Sequence, residues 1–250
     1  MWEVEVQQTQ QRAKDANALI ENITEQMELY QYDNCDQRML VALPLLKSSI
    51  DVAAAATRLL TIDPVQYGSA AEALFRPQLE RYMRAVYFAS PTLTSDAEVQ
   101  TFFQDDKLPK RKPLGKPDAK ARDVSFEDLV KAVAAEIVRQ AGKDDDPLAQ
   151  GFTEAITLEK RDLHGAVHGG RIVVRRYLTD VLAHNPWALA QGALISAMTA
   201  MSVLALSQVA HICGQRHGVA EFRITSGFAA LLRKMMPGMP EPTGSKPDGF

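Results

Sequence analysis

Apolar residues recur at helical spacing along most of the chain. Within residues 3–31, Ala18, Leu19, Ile23, Met27 and Tyr30 punctuate a stretch rich in Gln, Glu and Ala, which predicts an outer amphipathic helix. Asp36 is placed to cap a second helix through Met39, Leu43, Leu46, Ile50 and Ala54 to about Leu60, with a kink expected at Pro44. Asp63-Pro64 reads as punctuation, and a third helix is expected over about 69–89, ending before Ser90-Pro91. A short helix follows over 94–104. Ser125 and Asp128 have capping-box spacing and predict a helix reaching about Gly142. Asp144-Asp145-Asp146-Pro147 then opens a helix expected to run to Gly169-Gly170, where the chain should break or bend before resuming over 171–182. Asn185-Pro186 starts a long uncharged helix, and a last one is expected over 221–236. With no βαβ alternation, strand-spaced run or internal repeat, the expected fold is all-α, a bundle of about six to eight helices around one long central uncharged helix. The division expected is an N-terminal amphipathic helix (1–35), a helical bundle (36–215) carrying a basic loop at 105–123, and a C-terminal helix with a Pro/Gly-rich tail (216–250).

Composition adds bounds to this picture. A chain of 250 residues with 46% hydrophobic and 24% charged residues can bury a full core. The net charge of −3 excludes a global basic field, so any polyanion site must be a local patch. The two cysteines, Cys35 and Cys213, lie far apart in sequence, match no CxxC spacing and suit a reducing compartment. The start, Met1-Trp2-Glu3-Val4-Glu5-Val6, carries acids where a signal peptide needs cations, so a cytoplasmic location is expected. One segment pulls the other way: residues 186–215 hold no Asp, Glu, Lys or Arg, and 187–210 is long enough to cross a bilayer. Gln191, Ser196, Thr199, Ser202, Ser207 and Gln208 interrupt it, which favours a helix wrapped by other helices over a membrane span.

Candidate chemistry concentrates in Arg161-Asp162-Leu163-His164-Gly165-Ala166-Val167-His168-Gly169-Gly170. On a helix, positions i, i+3 and i+7 share a face, which brings Arg161, His164 and His168 together. A guanidinium grips phosphate in a fork and an imidazole moves protons near pH 7, so the trio suits cleavage of an RNA phosphodiester. DNA lacks the 2′-hydroxyl nucleophile such cleavage needs. The alternative is structural, with one histidine at a helix end and the other satisfied in the core. A zinc site on His164 and His168 lacks a strong third ligand and the HExxH carboxylate, so no metal and no cofactor is expected. On the third helix Arg76, Glu80 and Arg84 are spaced i, i+4, i+8 beside Leu79, Met83 and Val86. This stripe is either an internal ion-pair ladder or the border of a polar pocket, with Glu80 and Arg84 as supporting residues.

An arginine, a polar residue and a histidine a few positions on, inside a late helix of an all-α chain, resemble the HEPN superfamily. Here they are Arg161, Asp162 and His168, with six intervening residues. The run Phe75-Arg76-Pro77-Gln78-Leu79-Glu80-Arg81-Tyr82-Met83-Arg84 and the Val-His-Gly-Gly ending at Gly170 are similar to a bacterial branch of HEPN-like proteins found near mobile elements. The resemblance spans about residues 36–215. It implies a metal-independent endoribonuclease leaving a 2′,3′-cyclic phosphate, a toxin or phage-defence effector working as a homodimer, with an antitoxin or other defence protein as a further partner. Arg161 and His168 would carry the chemistry, supported by His164 and Asp162. Catalytically silent relatives that bind RNA or protein make an RNA- or protein-binding module the alternative, and a membrane-associated helical protein is a third.

Residues 107–122 hold seven cations, three prolines and one acid, and read as a loop or linker. Those cations, together with Arg171 and Arg175, suit contacts to RNA phosphates, while the loop has no aromatics for base stacking.

Overall fold

Local capping chemistry sets most helix starts. In this computed structural model, residues 2–28, 30, 35–112, 120–141 and 187–217 are described. Among them are six helices: α1 (Trp2–Glu28), α2 (Gln37–Ile62), α3 (Pro64–Ala89), α4 (Asp96–Asp105), α5 (Phe126–Ala141) and α6 (Trp187–His217). The fold is an all-α bundle. The helices expected over 147–168, 171–182 and 221–236 lie outside the described residues.

Asp36 accepts from the Met39 N–H at 2.9 Å and opens α2, which continues through Pro44. Ser95 and Glu98 form a full capping box at the start of α4, and Ser125 with Asp128 do the same for α5. The third helix begins at Pro64, five residues earlier than the sequence reading placed it. Asp63-Pro64 acts as an N-cap and first-turn residue: Asp63 accepts from Val65 and Gln66 N–H at 2.8 and 3.0 Å, and proline has no N–H to waste there. The Asp63 N–H meanwhile closes α2 on the Leu59 carbonyl at 3.2 Å.

Four long helices make the core. α2 lies along α3, α1 packs on α2 and α6, and α6 touches α2 and α3 as well. Leu19, Ile20 and Ile23 of α1, Leu46 and Ile50 of α2, Leu79, Tyr82 and Met83 of α3, and Ile195 and Met198 of α6 are fully buried between them. Each large apolar side chain so removed from water contributes about 1.5–3 kcal/mol. α4 covers α2, and α5 covers α3.

Several polar side chains of α6 find partners inside the bundle. Thr199 and Ser202 bond back to the Ile195 and Met198 carbonyls at 2.7 and 2.9 Å, and Gln191 donates to the Pro64 carbonyl at 3.0 Å. Gln78 of α3 is fully buried and donates to the Met198 carbonyl at 2.9 Å. By length and apolarity alone α2 and the 191–213 segment of α6 would each cross a membrane, yet half or more of each window is covered by neighbouring helices. This is the wrapped central helix the sequence suggested.

The basic stretch is not all loop. β1 (Lys110–Arg111) pairs antiparallel with β2 (Arg122–Asp123), in register Lys110 with Asp123 and Arg111 with Arg122. Two residue pairs are too few to leave a periodic signal in sequence. The ladder is held by tertiary bonds: Val124 N–H donates to the Pro109 carbonyl at 3.1 Å, and Arg111 reaches the Leu93 carbonyl at 3.2 Å.

Candidate functional site

Of the residues singled out from sequence, Arg161, Asp162, His164, His168, Arg171 and Arg175 lie outside the described residues. Glu80 and Arg84 lie within them, and the structure separates the two. Arg76 takes Glu80 in a salt bridge at 2.9 Å and stacks over the Phe126 ring, 5.0 Å from its centroid, which ties α3 to α5. The expected ladder therefore has one rung. Arg84 forms no salt bridge among the described residues, and its buried Nε has no hydrogen-bond partner.

Arg84 instead lines a cleft of about 630 Å³. The opposite walls come from Glu98 and Thr101 of α4, from Asp106 to Lys110 of the following turn, and from Asp123 of β2. The turn exists because Asp106 ends α4 in the left-handed region, at φ 53°, with its N–H on the Phe102 carbonyl at 2.9 Å. Aspartate tolerates that conformation better than most residues. Arg111 then fixes the wall by a two-pronged bond to Glu98, with Arg111 NH2 to Glu98 Oε2 at 2.9 Å. That guanidinium, aided by Ser95, holds the Glu98 carboxyl down to about 2. The bond to Glu98 likewise raises Arg111, which also acts on the Tyr87 hydroxyl.

A second polar cluster sits where α3, α5 and α6 meet, and no sequence signal pointed to it. Glu136 of α5 is 2% exposed and accepts from Thr92 at 3.0 Å, from Arg139 at 2.8 and 2.5 Å, and from Gln140 at 3.1 Å. Burial alone would raise its pKa, but those donors outweigh burial and hold it low. Gln140 accepts from Gln208 of α6 at 2.9 Å, and Gln208 stands near the buried Tyr82 hydroxyl, whose pKa burial pushes up strongly. His211 stands within range of Glu136 and Arg139. Burial lowers its pKa, Glu136 opposes and Arg139 reinforces the shift. A carboxylate with so many donors is fully committed to packing, and the cluster lines neither the Arg84 cleft nor the groove beside Met27 and Met39. Among the described residues no group of three or more His, Cys, Asp or Glu could hold a metal ion.

What the described residues can do chemically is therefore bind. The Arg84 cleft offers an uncommitted guanidinium beside two lysines on a wall built from the basic stretch. Comparison with protein-family profiles, with curated proteins and with solved structures finds no match.

Proposed function

We propose that the chain is an RNA-cleaving enzyme of HEPN type, metal-independent and working as a homodimer. The observation that carries this reading is Arg161-Asp162 followed by His168 in an all-α chain. Two features support it. In sequence the motif falls between α5 and α6, and both of these helices pack on α3, which supplies Arg84. The basic stretch that sequence reading linked to RNA phosphates also contributes Lys107 and Lys110 to the Arg84 cleft.

In the reaction, His168 or His164 takes the proton from a 2′-hydroxyl, whose oxygen attacks the adjacent phosphorus. Arg161 stabilises the pentacoordinate phosphorane as its charge develops. The P–O5′ bond breaks, the leaving oxygen is protonated by an imidazolium, and a 2′,3′-cyclic phosphate remains. In a homodimer the second imidazolium comes from either copy.

Incubating the purified protein with total RNA in EDTA tests this. Chelator-resistant cleavage that is lost in both Arg161→Ala and His168→Ala is the expected result, with a fall of at least about 10²-fold for removal of a proton-transfer group. RNA binding without cleavage in the wild type would reassign the chain to the binding-module alternative.

A further inference from the structure

Three arginines of this bundle are matched to acceptors. Arg38 has backbone carbonyls and Asp96, Arg76 has Glu80, and Arg111 has Glu98. Arg84 differs from them: it sits on the core-facing helix α3, its Nε is out of reach of solvent, and nothing accepts from it. Taking a guanidinium nitrogen out of water without an acceptor costs free energy that the fold recovers only if a ligand supplies one. The cleft in front of it is large enough for a nucleotide-sized group.

We infer that Arg84 is the anchoring residue of an oxyanion site in this cleft, and that the oxyanion is a singly charged phosphodiester of a nucleic-acid backbone. Charge on the lining sets the valence. Among the described lining residues, Glu98 is cancelled by Arg111, which leaves the cations Arg84, Lys107 and Lys110 against the acids Asp106 and Asp123, a surplus of one. The Lys107 contact to Asp105 is exposed at both ends and holds little of that charge back. A surplus of one suits a diester; a di- or triphosphate would meet two carboxylates with too few cations. Shape points the same way. The cleft is open, with Leu108 and Pro109 in its lining, so a strand can pass through it, and among the described residues no aromatic side chain lines it to select a base. The site thus serves as a sequence-indifferent grip on backbone, and only the identity of the nucleic acid as RNA rests on the cleavage reading.

A short single-stranded DNA oligonucleotide supplies phosphodiesters that the proposed chemistry leaves intact, and inorganic phosphate supplies a free oxyanion. Titrating each into the full chain, with Arg84→Gln and the surface pair Lys107→Ala/Lys110→Ala compared with wild type, tests the site. Arg84→Gln is expected to bind the oligonucleotide about tenfold more weakly, and its affinity to fall less steeply with salt, by about 0.7 in log–log slope. The lysine pair, exposed and outside the core, keeps the fold and should weaken binding with a larger loss of slope. Binding of inorganic phosphate alone, lost in Arg84→Gln, would keep an oxyanion site but overturn the diester. Equal oligonucleotide affinity in wild type and both variants, or no binding of either probe, would overturn the site. None of these results touches EDTA-resistant cleavage, whose loss or retention is read separately.

Discussion

Arg38 is 8% exposed yet sits at the N-terminal turn of α2, where a sequence reader expects a solvated cation. Its guanidinium donates to the Phe88 and Ser90 carbonyls at 2.9 and 3.2 Å, to the Thr94 hydroxyl and carbonyl at 2.8 and 2.6 Å, and to Asp96 at 3.0 Å. One side chain thus satisfies the frayed end of α3 and the turn into α4. Arg38→Met removes the donor from the Phe88 and Thr94 carbonyls, so a loss of about 3 kcal/mol is expected in urea unfolding, with little rescue by lysine, which has no fork. Glu98 gives a pH-dependent counterpart. Its carboxyl is held from 4.5 down to about 2 in the folded chain, so the stabilisation is fully present above pH 4.5 and drains away as pH falls toward 2. In Arg111→Gln that stretch of the acid limb should flatten, read as stability against pH across the window. An unchanged limb would mean that the pair contributes nothing to folding.

Helix starts were readable from sequence because capping is local. Asp36, Ser95 with Glu98, and Ser125 with Asp128 each act within three residues of themselves. The start of α3 was misplaced for the same local reason, since Asp-Pro is equally a stop for one helix and a cap for the next. Asp63 does both jobs, and Asp63→Ala is expected to cost about 1 kcal/mol through the cap alone. Thermal unfolding checks it, and Asp63→Asn should recover most of the loss. Signals that depend on distant partners were not readable. Nothing near Arg38 announces carbonyls 50 to 56 residues away, and nothing near Glu136 announces Thr92. Arg84 falls between these cases. Its i+4 spacing from Glu80 marked it as polar and placed, while the cleft it lines is completed by Glu98, Thr101, residues 106–110 and Asp123 and comes into view only with the fold.

At the scale of the molecule, the N-terminal helix belongs to the bundle and is no appendage. The pattern of the sequence sets residues 1–35 apart as an outer amphipathic helix. In the structure Ala13, Ala16, Leu19, Ile20 and Ile23 are fully buried, and α1 closes the bundle against both α2 and α6. That use of its apolar stripe leaves only the polar face for a second copy. It also explains how the buried side of α6 is closed: α2 and α3 shield part of it and α1 another part. Deleting residues 1–28 should therefore expose the core seam of α6 and abolish cooperative unfolding, and Leu19→Ala in the full chain should cost about 2–5 kcal/mol. Circular dichroism with light scattering measures both outcomes. Loss of the melting transition with aggregation is expected for the truncation, whereas a well-folded truncated monomer arising from a dimeric full chain would move α1 out of the core and make it the subunit contact instead.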